Sequence, residues 1–329
     1  MESLLPPLRL RWKRQFKGYI WASPVVQDRV VVVPGPGKKL FFLDLGSGHQ
    51  LEEDPTLVTA GNTTATIAGR RVFVCGKDGL RSYAFVSRKI EWGRPSRIAF
   101  STPCAAEDLV LWGSIGGDLN AADVESGEIR WTQQIADHGN LIPASTSEMA
   151  FVSGGKTVDA IYLRNGNVAW KYTPGVDEYR IQDPVAFHEG VLLVSIGGIG
   201  LVALGSASGD LLWEYRASGV VTSASVSNDG MAVFVAGPQL HAVNLASGKG
   251  LWVSEPYNLA TSCPITVGGH IFIGGGFSRA VYGFDRSTGE RVWEYPTKDL
   301  VFSTPAYDSG SLLIGSHDGN VYCFSEAVS

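Results

Sequence analysis

The chain has 329 residues, of which 18% are charged, 10% are aromatic and 40 are glycine. This composition is typical of short strands joined by tight turns, so we expect little or no helix. The 27 basic and 32 acidic residues give a net charge of −5, in which we recognise no basic run and no acidic tail. That balance argues against nucleic acid as the main partner, because a phosphate-binding surface needs clustered Lys and Arg.

The N-terminal stretch, MESLLPPLRLRWKRQ, has no apolar core and no small-residue cleavage site. It therefore predicts a cytoplasmic protein as written, or a periplasmic or secreted one if a leader has been removed. The longest uncharged stretch, residues 190–209, contains a Gly-Gly centre and a Ser-rich end. These features favour two buried strands around a turn, so we expect no transmembrane segment.

A motif with a period of about 40 residues runs through the chain, which is typical of propellers and solenoids. Its clearest copy is FDRSTGERVWEY at residues 284–295, in which a Ser/Thr-Gly turn precedes a tryptophan. One position, Glu52, carries glutamate where the tryptophan is expected. The tryptophans of the series are Trp12, Trp92, Trp131, Trp170, Trp213, Trp252 and Trp293.

Each period contains four short strand-like segments, the number found in a propeller blade. The last period supplies only three strands. The N-terminal segment LRLRWKRQF carries Trp12, a tryptophan of the repeated series, with no strands before it. We call the tryptophans of this series the ladder tryptophans. The sequence therefore predicts an all-β, eight-bladed β-propeller of four-stranded antiparallel blades, as a single domain over residues 1–329. The N-terminal strand is expected to complete the C-terminal blade and close the ring, because pairing the two ends removes two open sheet edges.

The repeated tryptophans predict a structural role. A large flat side chain can fill the wedge between neighbouring blades, and its indole N–H can donate to a backbone carbonyl. The glycine before each tryptophan allows the positive φ that a tight turn requires.

Segments such as VYGFDRSTGERVWEY and GNVYCF resemble the PQQ-like, quinoprotein-type β-propeller superfamily over essentially the whole chain. That superfamily includes quinoprotein alcohol dehydrogenases and non-catalytic scaffolds such as an outer-membrane assembly lipoprotein. The dehydrogenases characteristically carry adjacent cysteines and often a CxxCH motif, whereas this chain has neither. The resemblance therefore implies the fold and a likeness to the scaffolds, and no cofactor is expected.

The central funnel of a propeller is its main concave surface, so the residues at its mouth are the candidates for a site. The position just before the first strand of each blade is mostly small and hydroxyl-bearing, which predicts a structural ring. Its members are Ala22, Thr63, Ser101, Ile142, Gln182, Thr222, Ser262 and Ser303.

The loops that enter the blades differ from one another, and such differences can create an individual site. The candidates for catalysis are His138, Glu178 and Asp183, because a funnel can shift the pKa of an acid or base. The candidates for ligand binding are Tyr19, Trp21, Asn140, Tyr179, Arg180, Gln182, Tyr257 and Asn258. In SHDGN, which contains His317, ordinary turn chemistry explains the residues by itself. No metal site is expected.

Three functions are compatible with these features. The leading hypothesis is a rigid platform that binds a protein or small-molecule ligand at the central funnel face. The alternative is a cofactor-independent lyase, hydrolase or cyclase with its active site in the funnel, and the third is a PQQ-dependent oxidoreductase. The sequence leans away from an enzyme and leaves the oligomeric state open.

Overall fold

The computed structural model describes residues 3–37, 39–54, 63–96, 101–136, 141–154, 156–175, 185–257, 259 and 262–327. In these ranges the backbone forms 32 strands, which assemble into eight four-stranded sheets. The same ranges contain no helix long and apolar enough to cross a membrane. The fold class is therefore an all-β, eight-bladed β-propeller, as the repeats predict.

The strands belong to two compact units, residues 57–216 and residues 1–56 with 217–329. Each unit holds four blades, and the single-domain assignment stays a prediction. The first of these units contains blade 2 (β6 Thr66–Ala68, β7 Arg71–Gly76, β8 Gly79–Ala84, β9 Ile90–Pro95), blade 3 (β10 Cys104–Ala106, β11 Leu109–Gly113, β12 Asp118–Asp123, β13 Ile129–Gln134), blade 4 (β14 Ile142–Ser145, β15 Met149–Gly154, β16 Thr157–Tyr162, β17 Val168–Tyr172) and blade 5 (β18 Ala186–His188, β19 Val191–Ile196, β20 Gly200–Gly205, β21 Leu211–Arg216).

The other unit also contains four blades. These are blade 1 (β2 Val25–Gln27, β3 Val30–Gly35, β4 Lys39–Asp44, β5 Gln50–Asp54), blade 6 (β22 Ser225–Val226, β23 Met231–Ala236, β24 Gln239–Asn244, β25 Gly250–Val253), blade 7 (β26 Ile265–Val267, β27 His270–Gly274, β28 Ala280–Asp285, β29 Arg291–Pro296) and blade 8 (β30 Ala306–Asp308, β31 Ser311–Gly315, β32 Asn320–Glu326, β1 Leu8–Gln15).

The N-terminal strand completes the last blade. β1 pairs antiparallel with β32, from Leu8 opposite Glu326 to Gln15 opposite Asn320. The sheet order β1-β32-β31-β30 makes β1 the outermost strand of blade 8. The predicted pairing of the two chain ends is confirmed.

The second and third strands of the blades form most of the core, because both of their faces are covered. In β3, for example, Val31, Val32 and Val33 are all fully buried. The fourth strands alternate between exposed and half-buried residues, as expected where one face meets solvent. Hydrophobic clusters lie between successive blades, such as one that joins blades 7 and 8 around Phe272 and Phe324.

Each ladder tryptophan with a recorded indole bond donates its N–H to a backbone carbonyl of the following blade. Five of these six carbonyls lie in the turn between the third and fourth strands, and Trp293 uses Leu8 of β1 instead. The bonds are Trp12–Leu45 (2.8 Å), Trp92–Val124 (3.2 Å), Trp131–Leu163 (2.7 Å), Trp170–Ser206 (3.0 Å), Trp252–Arg286 (3.0 Å) and Trp293–Leu8 (3.1 Å). The predicted structural role of the tryptophans is confirmed for these blades.

The turn glycine lies directly against the tryptophan of the preceding blade. A Cβ at this glycine would lie only 2.4–2.8 Å from the indole ring, and φ is about +70° at each position. Two independent constraints, close approach and a left-handed backbone, therefore require glycine here. The glycines concerned are Gly48, Gly127, Gly166, Gly209 and Gly289.

An aspartate at the start of the turn holds its backbone. Asp123 Oδ1 accepts hydrogen bonds from the backbone N–H (2.8 Å) and hydroxyl (2.9 Å) of Ser126. Asp285 makes the same kind of contacts with Ser287 and Thr288. The bond from the Ser126 backbone, with those from Arg130 and the Ser126 hydroxyl, lowers the pKa of Asp123. The repeated Asp and Ser/Thr are therefore turn residues.

In blade 1, which lacks the tryptophan, the large side chain is on the third strand instead of the fourth. Elsewhere the residue directly opposite the tryptophan is small, as with Ala121 opposite Trp131 and Gly283 opposite Trp293. In blade 1, Glu52 lies opposite Phe42, which is fully buried. Because directly paired residues project from the same face of a sheet, Phe42 supplies there the bulk that Glu52 lacks.

The contact between Trp170 and Gly209 can be tested by substitution. Gly209→Ala should lower the free energy of unfolding by about 2–3 kcal/mol, because it combines backbone strain with a clash. The matched control is Gly190→Ala, where φ is +83° and no atom lies within 4 Å of the new Cβ. That control should cost only the backbone strain, about 1 kcal/mol.

Chemical denaturation of both variants, alone and in a Trp170→Ala background, measures the difference. Removal of the indole should bring the cost of Gly209→Ala down to that of Gly190→Ala. Equal costs for the two glycines in the wild-type background would show that the indole contact contributes nothing.

Candidate functional site

Eight of the eleven candidate site residues predicted from sequence lie outside the described residues, so their roles stay predictions. These are His138, Asn140, Glu178, Tyr179, Arg180, Gln182, Asp183 and Asn258. The structure describes the other three, Tyr19, Trp21 and Tyr257.

The small residues before the first strands hold the blades together. Ser303 Oγ donates to the carbonyl of Gly315 (2.9 Å) and accepts from its N–H (2.8 Å), which links the start of the inner strand to β31. Thr63 makes the equivalent bond to the carbonyl of Cys75 (3.0 Å), and Ser262 accepts from the N–H of Gly274 (3.3 Å). These buried hydroxyls satisfy backbone groups, in keeping with a structural role.

Tyr19 and Trp21 form a cluster with aromatic residues of blades 7 and 8. The Trp21 ring lies 3.9 Å from the His317 ring and 5.8 Å from Phe302, measured between centroids. Tyr19 lies 5.4 Å from His317, and Phe277 meets Phe302 edge to face at 5.3 Å. We call Tyr19, Trp21, Phe277 and Phe302 the aromatic face.

The blade topology explains why these residues meet. Trp21 and Phe302 precede the inner strands β2 and β30, whereas Phe277 and His317 lie in turns between the second and third strands. In an antiparallel four-stranded sheet, the start of the first strand and the turn between the second and third strands lie at the same end. The loops of blades 1, 7 and 8 therefore meet at one end of the inner strands.

The aromatic face is exposed. Tyr19 is 60% exposed, Phe277 56% and Trp21 40%, while Phe302 is half-buried. Clustered exposed aromatic rings are characteristic of interaction surfaces, because burying them in a complex removes much apolar area from water.

His317 lies beneath the aromatic face and is 6% exposed. Its backbone N–H donates to the carbonyl of Leu300 (2.8 Å), and its Nε2 has no hydrogen-bond partner in the described part of the chain. Burial lowers the pKa of His317, and the charge of Asp299 opposes this only in part. The imidazole is therefore neutral at neutral pH and acts as an aromatic packing residue.

The turn that carries His317 is fixed by Asp318. This carboxylate accepts hydrogen bonds from the Tyr322 hydroxyl (2.5 Å), the Asn320 N–H (2.9 Å) and the Lys298 N–H (3.1 Å). Burial alone would raise the pKa of Asp318, but the hydrogen bonds from Tyr322 and Asn320 outweigh it and lower the pKa. The floor of the aromatic face is thus held by a charged hydrogen-bond network.

Tyr257 packs elsewhere. Its ring contacts Tyr282 at 5.8 Å and Phe284 at 5.3 Å, and the Arg291 guanidinium lies 4.9 Å from its centroid. Its backbone N–H donates to Pro238 (2.9 Å). These contacts place Tyr257 between blades 6 and 7, and its role in ligand binding stays a prediction.

Phe277 and Phe302 are not among the candidates predicted from the sequence, which indicates only a turn at His317. The sequence does contain a signal for Phe302. Trp21 and Phe302 each stand three residues before a proline, Pro24 and Pro305 respectively. Comparing IWASP with VFSTP would have assigned both aromatics to one repeat position. Phe277 belongs to a turn without such a repeated pattern.

His317 gives a pH dependence with a definite sign. Its pKa in the folded state lies below the ordinary value of 6.5, so its contribution to stability is complete above that value. As the pH falls from 6.5 through the folded-state pKa, this contribution is lost. Denaturation at pH 7.5 and 5 should therefore show a smaller loss of stability for His317→Gln than for the wild type.

Histidine side-chain NMR provides the direct check. Asp299→Asn should lower the pKa of His317 further, because it removes a negative charge that stabilises the imidazolium. A His317 signal that titrates at or above 6.5 would contradict the buried, neutral assignment.

The blades define the class of protein as an eight-bladed β-propeller, and the aromatic face lies at one end of its inner strands. Among known families, the one described as outer membrane protein assembly factor BamB matches residues 19–133, 81–179 and 154–329. These overlapping matches cover most of the sequence, and the chain belongs to this family.

Individual relatives agree with this assignment. The outer membrane protein assembly factor BamB of Yersinia pestis is 24% identical over 310 residues, 88% of this chain and 77% of that protein. The quinohemoprotein alcohol dehydrogenase ADH IIB of Pseudomonas putida is 28% identical over 200 residues, which are 54% of this chain but only 29% of the dehydrogenase. The crystal structure of BamB from Moraxella catarrhalis has a TM-score of 0.80 at 14% identity, covering 97% of this chain and 100% of that one. The chain is thus closer to the assembly factors than to the dehydrogenases.

Proposed function

We propose that the chain is a non-catalytic scaffold that binds a protein partner through the aromatic face. The observation that carries this proposal is the exposure of Tyr19, Trp21 and Phe277 around a buried, neutral His317. Exposed tryptophan and tyrosine on a fixed base are the side chains that contribute most to binding at protein interfaces.

The backbone beneath the aromatic face supports a rigid docking site. The inner strands of blades 8 and 1 are joined by the Thr304 N–H, which donates to Ser23 Oγ (2.8 Å). Ser303, which immediately precedes Thr304, hydrogen-bonds to both the carbonyl and the N–H of Gly315. Because these contacts fix the loops that carry Trp21 and Phe302, a partner can bind without ordering them first.

The family supports a protein as the ligand. Its description and that of the Yersinia pestis relative name an assembly factor of the outer membrane. We propose by analogy that the partner here is a component of an outer-membrane assembly machinery. The same description favours the periplasmic location over the cytoplasmic one.

The two enzymatic alternatives have less support. The cofactor-independent enzyme depends on His138, Glu178 and Asp183, which lie outside the described residues. For the quinoprotein alternative, all four cysteines are free thiols and none are adjacent, so the chain lacks the paired cysteines of the dehydrogenases.

The proposal can be tested by co-purification from cells that express the protein at its own level. Trp21→Ser/Phe277→Ser should reduce recovery of outer-membrane assembly proteins at least about tenfold, because it removes two exposed anchors from the aromatic face. The matched control is Leu211→Ser/Leu212→Ser, which alters two residues of β21 that are 47% and 52% exposed.

Quantitative mass spectrometry of the purified complexes distinguishes the outcomes. The control should retain its partners, and circular dichroism should show that both double variants are folded. Equal recovery with all three proteins, or recovery of no assembly protein with the wild type, would overturn the proposal.

A further inference from the structure

The outermost strand of blade 8 carries a concentration of positive charge. β1 contains Arg9, Arg11, Lys13 and Arg14 within six residues. Arg9, Arg11 and Lys13 are exposed, and Arg14 is half-buried. The pairing of β1 with β32 places Arg9 and Arg14 on one face of the sheet and Lys13 on the other, with Arg11 unpaired between Leu10 and Trp12. The cations therefore line both sides of the strand that forms the outer edge of the blade.

These four cations have no carboxylate partner in the described part of the chain. Arg11 Nη1 reaches the hydroxyl of Ser311 (3.4 Å), and Arg14 Nη2 reaches the amide oxygen of Gln50 (3.5 Å). Both acceptors are neutral, so neither contact is an ion pair.

The fourth strands of the other blades differ in this respect. Each contains at most one cation, and that cation bonds to a carboxylate or to backbone carbonyls. The contacts are Arg94 to the Ser126 carbonyl (3.0 Å), Arg130–Asp123 (2.7 Å), Lys171–Asp159 (2.9 Å), Arg216–Glu214 (3.5 Å) and Arg291–Glu294 (2.5 Å). Protection of an open edge does not explain the four cations of β1, because the equivalent strands contain at most one.

The surroundings of β1 restrict what can bind it. The neighbouring outer strand β5 contains Glu52, Glu53 and Asp54, and the contact between Arg14 and Gln50 joins the two strands. The basic surface is therefore one strand wide with acidic residues beside it. A flat anionic membrane would meet both strands, whereas a narrow anionic chain can follow β1 alone.

The length of β1 also favours an extended ligand. It has 8 residues, whereas the other fourth strands have 4 to 6. The register shift between Leu10 and Trp12 leaves Arg11 as the extra residue of a β-bulge. Because a bulge interrupts strand pairing, binding would use the side chains rather than addition of a strand.

We propose that Arg9, Arg11, Lys13 and Arg14 form a second docking site, for an extended acidic segment of a partner protein. This site is separate from the aromatic face, because it lies on the outermost strand rather than at the ends of the inner strands. Substitutions that remove binding at one site therefore leave binding at the other site measurable.

Fluorescence anisotropy with a labelled peptide of five Glu-Ser repeats tests this proposal, with Gln-Ser and Lys-Ser repeats as comparison probes. Arg9→Glu/Arg11→Glu/Lys13→Glu should weaken binding of the acidic peptide at least about tenfold, and binding should also fall as salt is added. The matched control, Arg164→Glu/Arg216→Glu/Lys249→Glu, changes three other exposed cations and the same net charge. It should weaken binding less than about twofold, since it leaves β1 intact.

Three results would overturn the proposal. The wild type could fail to bind the acidic peptide, or the two triple variants could weaken binding equally, which would indicate a response to net charge alone. Vesicles with anionic lipid could bind in a manner that depends on β1 while the peptide does not, which would assign the site to a membrane surface. Circular dichroism of both triple variants confirms that their exposed substitutions leave the fold intact.

Discussion

The contact between a tryptophan of one blade and the turn of the next is the interaction on which each unit depends. The indole N–H bonds to a turn carbonyl, as in Trp131 with Leu163, while its ring lies against the turn glycine. A single residue thus satisfies a buried polar group and fills the wedge between two sheets. The glycine and aspartate of the motif follow from this contact, because only a tight left-handed turn brings the carbonyl and the ring surface together.

This division of roles leaves the loops free to differ. The repeated residues form the blades, so function belongs to positions that depart from the repeat. Tyr19 and Phe277 are such departures at one end of the inner strands, beside the aromatic position that Trp21 shares with Phe302. The four cations of β1 are another departure, at the outer edge. Both surfaces lie on blades fixed by backbone and hydroxyl bonds, which suits binding to partners more than movement.

The fold could be predicted from the sequence because its causes are local and repeated. The 40-residue period, the turn glycine and the unpaired N-terminal strand each have a direct physical meaning. The effect of Glu52 could not be predicted in this way. Phe42 supplies the missing side-chain volume only because it is paired with Glu52 across the strands, and the sequence does not show that pairing. Of the candidate site residues, Tyr19 and Trp21 contact other aromatic residues and Tyr257 packs between blades 6 and 7, while the role of all three in binding stays a prediction. His317 was undervalued because a turn motif explains its sequence but not its burial beneath Trp21.

The central claim is that partners bind at the aromatic face. Site-specific photocrosslinking tests it most directly, with a benzophenone amino acid in place of Phe277 and, separately, of Leu212 on β21. Both positions are more than half exposed, so their access to solvent is comparable. The account predicts a crosslinked protein complex from position 277 and none from position 212. Crosslinks from position 212 alone, or equally from both positions, would contradict it.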